Sequence, residues 1–288
     1  MIQALFGQLL LGLINGSFYA LLSLGLAIIF GLLNIVNFAH GALYMVGAFA
    51  AWLMLDLLGV GYWPALLLSP LLVGLFGAFI ERTMLRRLYA LDNIYGLLLT
   101  FGLTLILEGL FHHQYGNSGK SYPVPEALQG GANLGFMFLP LYRAWVVVIS
   151  LLVCFASWWV IERTKLGSYL RAGTENPRLL QAFGINVPLL FTLTYAFGVA
   201  LAAFAGVMAA PIYQVTPQMG SHLIIVVFAV VVIGGMGSIL GSIVTGVGLG
   251  LLEGLTKFIY PPASATVVFV VMALVLLFRP AGLFGREA

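Results

Sequence analysis

Charged side chains are scarce in this chain of 288 residues. Asp, Glu, Lys and Arg make up 7% of the residues, whereas 62% are hydrophobic and the mean hydropathy is +1.10. So few charges cannot cover the surface of a water-soluble protein of this length. The composition therefore excludes a soluble enzyme or binding protein and predicts an integral membrane protein.

Cysteine and signal-peptide features are also nearly absent. The single cysteine, Cys154, lies in an apolar segment and cannot form a disulfide within the chain, so cysteine gives no information about the compartment. No basic residue precedes the first apolar run, and no small-residue cleavage site follows it. We therefore interpret this run as mature structure.

Long apolar segments account for most of the chain. The segment 222–256 is too long for one crossing and is interrupted by GGMGS at 234–238, so it predicts two pieces that either cross separately or form a re-entrant hairpin. The predicted fold is all-α, a polytopic transmembrane helical bundle of about eight to nine membrane segments with broken or re-entrant helices, in a single domain over 1–288. The apolar segments lie at 4–32, 36–58, 62–80, 94–111, 144–161, 189–212, 222–256 and 264–278.

Basic residues are concentrated in three connections, which are 81–93, 162–188 and the tail after residue 278. Short basic connections remain in the cytoplasm, so these three are predicted to lie inside. This assignment requires the GGMGS break to reverse the chain and places the N-terminus outside. The connection 112–142 is then an external loop, long enough to contact a soluble protein.

Two apparent motifs carry little weight. GNSGKS at 116–121 resembles part of a phosphate-binding loop, but Gln114 replaces the first glycine of that motif and a proline-rich stretch replaces the following helix. Glu108, His112 and His113 are a candidate metal cluster that lacks a fourth ligand. The sequence therefore predicts no metal site and no nucleotide site of its own.

Polar residues interrupt the apolar run 15–49. Asn34, Asn37 and His40 are spaced three residues apart and would lie loosely on one face of a continuous helix. They either satisfy polar groups at a bend, line a translocation pathway or form a moving gate. Together with Asn15 they are the candidate pathway residues. His40 has no carboxylate or serine at motif spacing, which argues against an intramembrane enzyme.

The connection 162–188 contains signals for a short helix. Asn176 is a suitable N-cap, Pro177 suits the first helical position, and Gly184 suits the left-handed residue after the end. These signals predict a helix of about seven residues.

This short helix is predicted to be amphipathic. Leu179, Leu180 and Phe183 share one face, Arg178 points elsewhere, and Glu175 lies at the positive end of the helix dipole. Such a helix either docks into a groove on another protein or lies on the membrane surface.

Small residues recur every four positions in two apolar segments. Such stripes allow helix backbones to approach closely in a membrane, either within one chain or against a second membrane subunit. The stripes comprise Gly198, Ala202, Gly206 and Ala210 in one segment, and Gly234, Ser238, Ser242, Gly246, Gly250 and Gly254 in the other.

Three passages resemble the permease subunits of branched-chain amino acid ABC importers, in particular the shorter LivH-type subunit. They are NGSFYALLSLGLAIIFGLLNIVNFAHGALYMVGAF at 15–49, RAGTENPRLLQAFGIN at 171–186, and VVVIGGMGSILGSIVTGVGLGLLEGL at 230–255, which RPAGLFG follows near the end. These passages occur in the family's order.

The resemblance implies a set of partners and a location. In this family two different permeases, LivH-type and LivM-type, form a heterodimer in the bacterial inner membrane. Two cytoplasmic ATPase subunits bind beneath it, and a periplasmic binding protein delivers the solute. The helix in 162–188 would be the coupling helix on an ATPase, although the Glu-Ala-Ala pattern of ABC importers is degenerate here, since Asn176 and Pro177 follow Glu175.

The resemblance thus implies a permease with no enzymatic activity, no cofactor and no nucleic-acid partner. It would form half of the pathway for branched-chain amino acids or a related small polar solute such as urea, an amide or an aromatic acid. The alternative from the residues alone is an ATP-independent secondary transporter or channel, because broken helices and buried polar groups suit that class equally well.

Overall fold

The computed structural model describes residues 2–33, 36–89, 91–135 and 138–285. These residues form an α-helical bundle, which confirms the predicted fold class. The α-helices are α1 (Ile2–Leu33), α2 (Ala39–Leu58), α3 (Tyr62–Thr83), α4 (Asn93–Tyr115), α5 (Leu141–Arg163), α6 (Lys165–Glu175), α7 (Pro177–Ala182), α8 (Val187–Ala209), α9 (Met219–Gly234), α10 (Ile239–Ile259) and α11 (Val267–Phe278).

The remaining regular structure is short. Three 3₁₀ helices occur at Leu85–Leu88, Glu126–Leu128 and Pro261–Ala263. The strands β1 (Gly131–Asn133) and β2 (Phe138–Pro140) form an antiparallel hairpin with Ala132 opposite Leu139.

Within the described ranges, seven helices are long and apolar enough to cross a membrane, namely α1 to α5, α8 and α10. The helices α9 and α11 are apolar but shorter. The nine apolar helices agree with the predicted count of eight to nine membrane segments.

Side-chain caps fix where several helices begin. Asp92 accepts a hydrogen bond from the Ile94 amide at 2.9 Å, and Asn186 accepts one from the Leu189 amide at 3.1 Å. The first amides of a helix have no partner within the helix, so such caps satisfy them. The turn from α2 to α3 uses Gly59 at φ +65°, a conformation that favours glycine.

Helix α1 occupies the centre of the bundle. In its most apolar window 83% of the residues are buried, and it packs against α5, α8, α9 and α10. By contrast, only 22% of the corresponding window of α4 and 28% of that of α5 are buried. These two helices therefore present apolar side chains at the periphery, where lipid would contact them.

Glycine backbones bring α1 and α10 into direct contact. A Cβ atom added to Gly250 would lie 2.3 Å from the Cα of Gly16, and one added to Gly12 would lie 2.4 Å from the carbonyl oxygen of Gly250. On the other side of α1, a Cβ on Gly198 of α8 would lie 2.8 Å from the carbonyl oxygen of Gly25. The small-residue stripes therefore lie at helix contacts within this chain.

The GGMGS segment reverses the chain between α9 and α10. Gly235 and Gly237 adopt φ angles of +98° and +87°, which permit the turn. Residues 281–285 pack over this turn, and the Leu283 amide donates to the carbonyl of Ile233 at 2.8 Å. The tail thus satisfies a carbonyl at the end of α9 that has no partner within its helix.

The long connection before α5 is shorter than predicted. Helix α4 continues through His112 and His113 to Tyr115, and α5 begins at Leu141, so the loop covers 116–140 rather than 112–142. Apolar periodicity alone gave no reason to include the two histidines in α4. Gly116, at φ +70°, ends this helix.

The GNSGKS segment lies in this long loop and pairs with another connection. Lys120 and Val215 exchange two backbone hydrogen bonds of 2.9 Å, and the Lys120 ammonium lies 5.6 Å from the ring centre of Trp52. The loop is therefore held against the 210–218 connection, and its lysine contacts an aromatic ring. We call this end of the bundle the long-loop end and the opposite end, where α6 and α7 lie, the short-helix end.

The connection 162–188 contains one helix more than predicted. Helix α6 precedes α7 and is tied to α5 by the Arg171–Glu162 ion pair at 3.3 Å. Its glycines and its Ser and Thr residues are poor helix formers, so the local sequence gave only a weak signal. Tertiary packing compensates, because Gly167 lies directly against the backbone of Ile161 and Leu170 is buried.

Candidate functional site

The predicted polar residues Asn37 and His40 lie where the chain turns from α1 into α2. Asn37 precedes α2 by two residues and is 0% exposed, and His40 lies in the first turn and is 1% exposed. The Nε2 atom of His40 is 3.0 Å from the carbonyl oxygen of Leu22, which is near the middle of α1. Helix α2 thus begins level with the middle of α1. Asn34 lies outside the described residues.

This turn contains polar atoms that make no hydrogen bond of ordinary geometry. They are both amide atoms of Asn37, the Nδ1 atom of His40 and the hydroxyl of Tyr195. The Tyr195 hydroxyl on α8 lies beside the Asn37 side chain. Buried polar atoms usually have partners, since leaving one unpaired costs about 1–3 kcal/mol. The turn between α1 and α2 is therefore a costly arrangement in this conformation.

Asn15 lies at a different place. It lines a cavity of about 300 Å³ near the long-loop end, and its Oδ1 accepts a hydrogen bond from the Tyr213 hydroxyl at 3.1 Å. Neither Asn37 nor His40 lines this cavity. The structure therefore separates Asn15 from the other described pathway candidates.

Sequence reasoning missed the buried carboxylate of Glu81. This residue belongs to the last turn of α3 and is 0% exposed. Its two oxygens accept hydrogen bonds from Tyr89 at 2.8 Å and from Thr192 on α8 at 2.6 Å. In the sequence Glu81 begins a basic connection and resembles an ordinary solvated residue, so no local signal distinguished it.

A second carboxylate contact joins residues far apart in the chain. The Tyr19 hydroxyl on α1 donates to Glu253 Oε2 on α10 at 2.8 Å. Tyr19 lines the same cavity as Asn15. The contact depends on the α1–α10 packing, which sequence periodicity does not give.

The short helix α7 has the predicted caps. Asn176 Oδ1 accepts from the Leu179 amide at 3.0 Å, Pro177 occupies the first turn, and Gly184 adopts φ +82°. The helix has six residues, close to the predicted seven. Glu175 is the last residue of α6 and directly precedes the cap.

The predicted apolar face of α7 requires a correction. Leu180 is 7% exposed and packs against Gly173 of α6, whereas Leu179 is 55% and Phe183 is 75% exposed. The prediction placed all three on one binding face because it did not include α6, which covers Leu180. The exposed apolar surface of this segment therefore consists of Leu179 and Phe183, with Arg178 also exposed.

No three His, Cys, Asp or Glu side chains converge as a metal site in the ranges that the structure describes. Glu108, one of the residues considered for such a site, accepts a hydrogen bond from Ser221 on α9. Glu108 therefore takes part in the contact between α4 and α9.

Comparison with known protein families shows to which family this chain belongs. The family profile described as "Branched-chain amino acid transport system / permease component" matches residues 8–278. This chain belongs to that permease family. It is therefore a transport permease component and not an enzyme, as predicted.

Individual relatives agree with this assignment. The permease is 32% identical over 97% of its length to the high-affinity branched-chain amino acid transport system permease protein BraD of Pseudomonas aeruginosa, covering 95% of that protein. It is 28% identical over 97% of its length to LivH of Escherichia coli, covering 95% of it. It is 26% identical over 92% of its length to LivM of E. coli, covering 67% of it. The permease is thus of the LivH type. No solved structure gives a significant match.

Proposed function

We propose that this permease is the LivH-type half of an ATP-driven importer of branched-chain amino acids in a bacterial inner membrane. Its relatives include both LivH and LivM, which implies that a second, LivM-type permease is its partner. Two cytoplasmic ATPase subunits would supply the energy, and a periplasmic binding protein would deliver the solute. The names of BraD and LivH support the choice of substrate.

The exposed apolar surface of α7 carries this proposal. Leu179 and Phe183 project from a capped helix at the short-helix end, on a protein whose other large apolar surfaces suit lipid. A short helix with two exposed apolar side chains fits a groove on a soluble partner. We propose that this partner is an ATPase subunit and that α7 binds in a groove on its surface.

The connection from α7 to the bundle suits energy coupling. After Phe183 and Gly184 the chain enters α8 at the Asn186 cap, so displacement of α7 would act directly on α8. Helix α8 packs against α1, α2 and α3. Movement of an ATPase would therefore reach the helices around the buried polar turn and alternate access to the pathway.

Replacing Phe183 by Asp tests the coupling role. The substitution places a charge on the proposed contact, so we expect loss of ATPase copurification and of leucine uptake, with normal membrane insertion. The matched control is Gln181→Asp, which adds the same charge to an exposed position on another side of α7. Uptake by Phe183→Asp equal to that by Gln181→Asp would contradict the proposal.

Purification with partners retained separates this function from the ATP-independent alternative. A complex with a second permease and two ATPases supports the importer, whereas a lone homo-oligomer supports a secondary transporter or channel. Uptake with leucine, urea, a short amide and an aromatic acid then identifies the solute class.

Asn34, Asn37 and His40 are proposed pathway or gate residues, and Asn15 is a proposed residue of the outer part of the pathway. Asn37 and His40 are enclosed in this conformation. Their role in transport therefore requires a second conformation in which the turn between α1 and α2 opens.

A further inference from the structure

The cavity that Asn15 lines contains both apolar surface and polar groups. Its volume is about 300 Å³, within the range of small-molecule sites. It lies between α1, α2, the 210–218 connection and the start of α9. Its apolar lining includes Phe18 and Leu223, and its polar lining includes Asn15, Tyr19, Tyr213 and Gln214.

One side of the cavity is electronegative. The Tyr19 hydroxyl gives its hydrogen to Glu253, so its oxygen lone pairs remain available to accept from a bound cation. The described residues contain one ion pair, between Arg171 and Glu162. No basic side chain among them therefore forms an ion pair with Glu253. The carboxylate therefore strengthens the acceptor character of Tyr19. A primary ammonium group matches this side.

Other polar groups of the cavity are suited to an anion. Asn15 uses its carbonyl oxygen for the Tyr213 hydroxyl, which leaves its amide NH₂ group as a donor. The Arg143 guanidinium lies close enough to the Tyr213 hydroxyl to interact with it electrostatically. Gln214 adds a second amide to the lining. Arginine and amide donors together recognise a carboxylate.

We propose that this cavity is a transit site for an α-amino acid zwitterion with an apolar side chain. The ammonium group contacts Tyr19, whose hydroxyl donates to Glu253, the carboxylate faces Asn15 beside Tyr213, and the side chain lies against Phe18 and Leu223. This assignment rests on the proposed import function and adds a substrate site within the permease itself. A transit site must bind the solute weakly enough for it to move on, so we expect millimolar affinity.

A competition experiment on the complete importer tests the electronegative side. Saturation-transfer NMR measures leucine binding to the detergent-solubilised complex without binding protein, with 4-methylpentanoate, which lacks the ammonium group, as competitor. We expect wild type to prefer leucine. Glu253→Gln should weaken leucine binding about tenfold, because the negative charge behind Tyr19 is lost, and should reduce the preference over 4-methylpentanoate.

Two further variants separate recognition from folding. Tyr19→Phe keeps the ring but removes the hydroxyl, so it should reduce the same preference. Glu108→Gln removes a carboxylate on α4 that contacts Ser221, and because neither residue lines the cavity it should leave leucine binding unchanged. Stimulation of ATP hydrolysis by the loaded binding protein reports an intact complex in each variant.

The outcomes distinguish this inference from the proposed function. A complex that imports leucine but shows no direct leucine binding at millimolar concentration overturns the transit site alone. An unchanged preference in both Glu253→Gln and Tyr19→Phe does so as well. Failure of the wild-type complex to import leucine overturns the proposed function.

Discussion

At the scale of single residues, the most unusual feature is the buried amide of Asn37. Asn37 is fully enclosed, and neither of its amide atoms has a hydrogen bond of ordinary geometry. An uncompensated polar group destabilises the conformation that buries it. The same group would be stabilised where water or solute reaches it, so we propose that Asn37 favours opening of the turn.

Replacement of Asn37 by Leu, which has nearly the same shape, tests this argument. Because the amide makes no hydrogen bond of ordinary geometry with the described residues, the free energy of unfolding should stay within about 1 kcal/mol of wild type or rise. Leucine uptake should fall at least several-fold, since the open state loses its polar group. Thermal stability of the purified complex and uptake in vesicles measure the two effects.

Thr245→Val is the matched control for Asn37→Leu. The Thr245 hydroxyl on α10 is also buried without a partner, but it lies outside the turn. Its removal should leave uptake unchanged. If Asn37→Leu lowers stability and uptake together, Asn37 serves to hold the turn and not to open it.

At the scale of helices, the contact between α1 and α10 depends on glycine. The backbones approach so closely that a methyl group on Gly250 has no space against Gly16. The two backbones would have to move apart at this point to accommodate it. Interhelical packing of this kind is the main source of association in lipid.

Gly250→Ala should therefore destabilise the permease by about 1–3 kcal/mol, as expected when an extra carbon is forced into a packed interface. Gly248→Ala is its control, because it is the same substitution two residues away on the same helix, with nothing within 4 Å of the added Cβ. Helix propensity makes that change neutral or stabilising. The two variants are heated and the fraction that remains folded is measured by size-exclusion chromatography. Equal stability of the two variants would contradict the prediction.

Some helices could be located from the sequence and others could not. Apolar length located α1 and α8 to within a few residues, because lipid-spanning helices need long uninterrupted apolar runs. The caps located α7, since Asn176 and Gly184 act within their own turn. Helix α6 was missed because contacts with α5 stabilise it rather than its local propensity.

The candidate site was predicted less completely than the fold. Asn37 and His40 stand out because they interrupt an apolar run. The contact between Tyr19 and Glu253 could not be predicted, because it forms only when α1 packs against α10. The burial of Glu81 was missed for the same reason, since its partner Thr192 is 111 positions away in the chain.

At the scale of the whole molecule, the two ends of the bundle differ in the partners that they suit. The long-loop end carries the 116–140 loop and the open cavity, whereas the short-helix end carries α6 and α7. Helix α5 separates these two ends, because it crosses the bundle from Leu141 to Arg163. The basic connections 81–93 and 162–188 favour a cytoplasmic position for the short-helix end.

Cysteine labelling tests this orientation directly. The single native cysteine, Cys154, is buried, so a Cys154→Ala background removes the only competing thiol. In that background Ser118→Cys, in the long loop, should react with a membrane-impermeant maleimide added to spheroplasts. Gln181→Cys, on exposed α7, should react only after lysis. The opposite pattern would reverse the orientation, and α7 could then not contact a cytoplasmic ATPase.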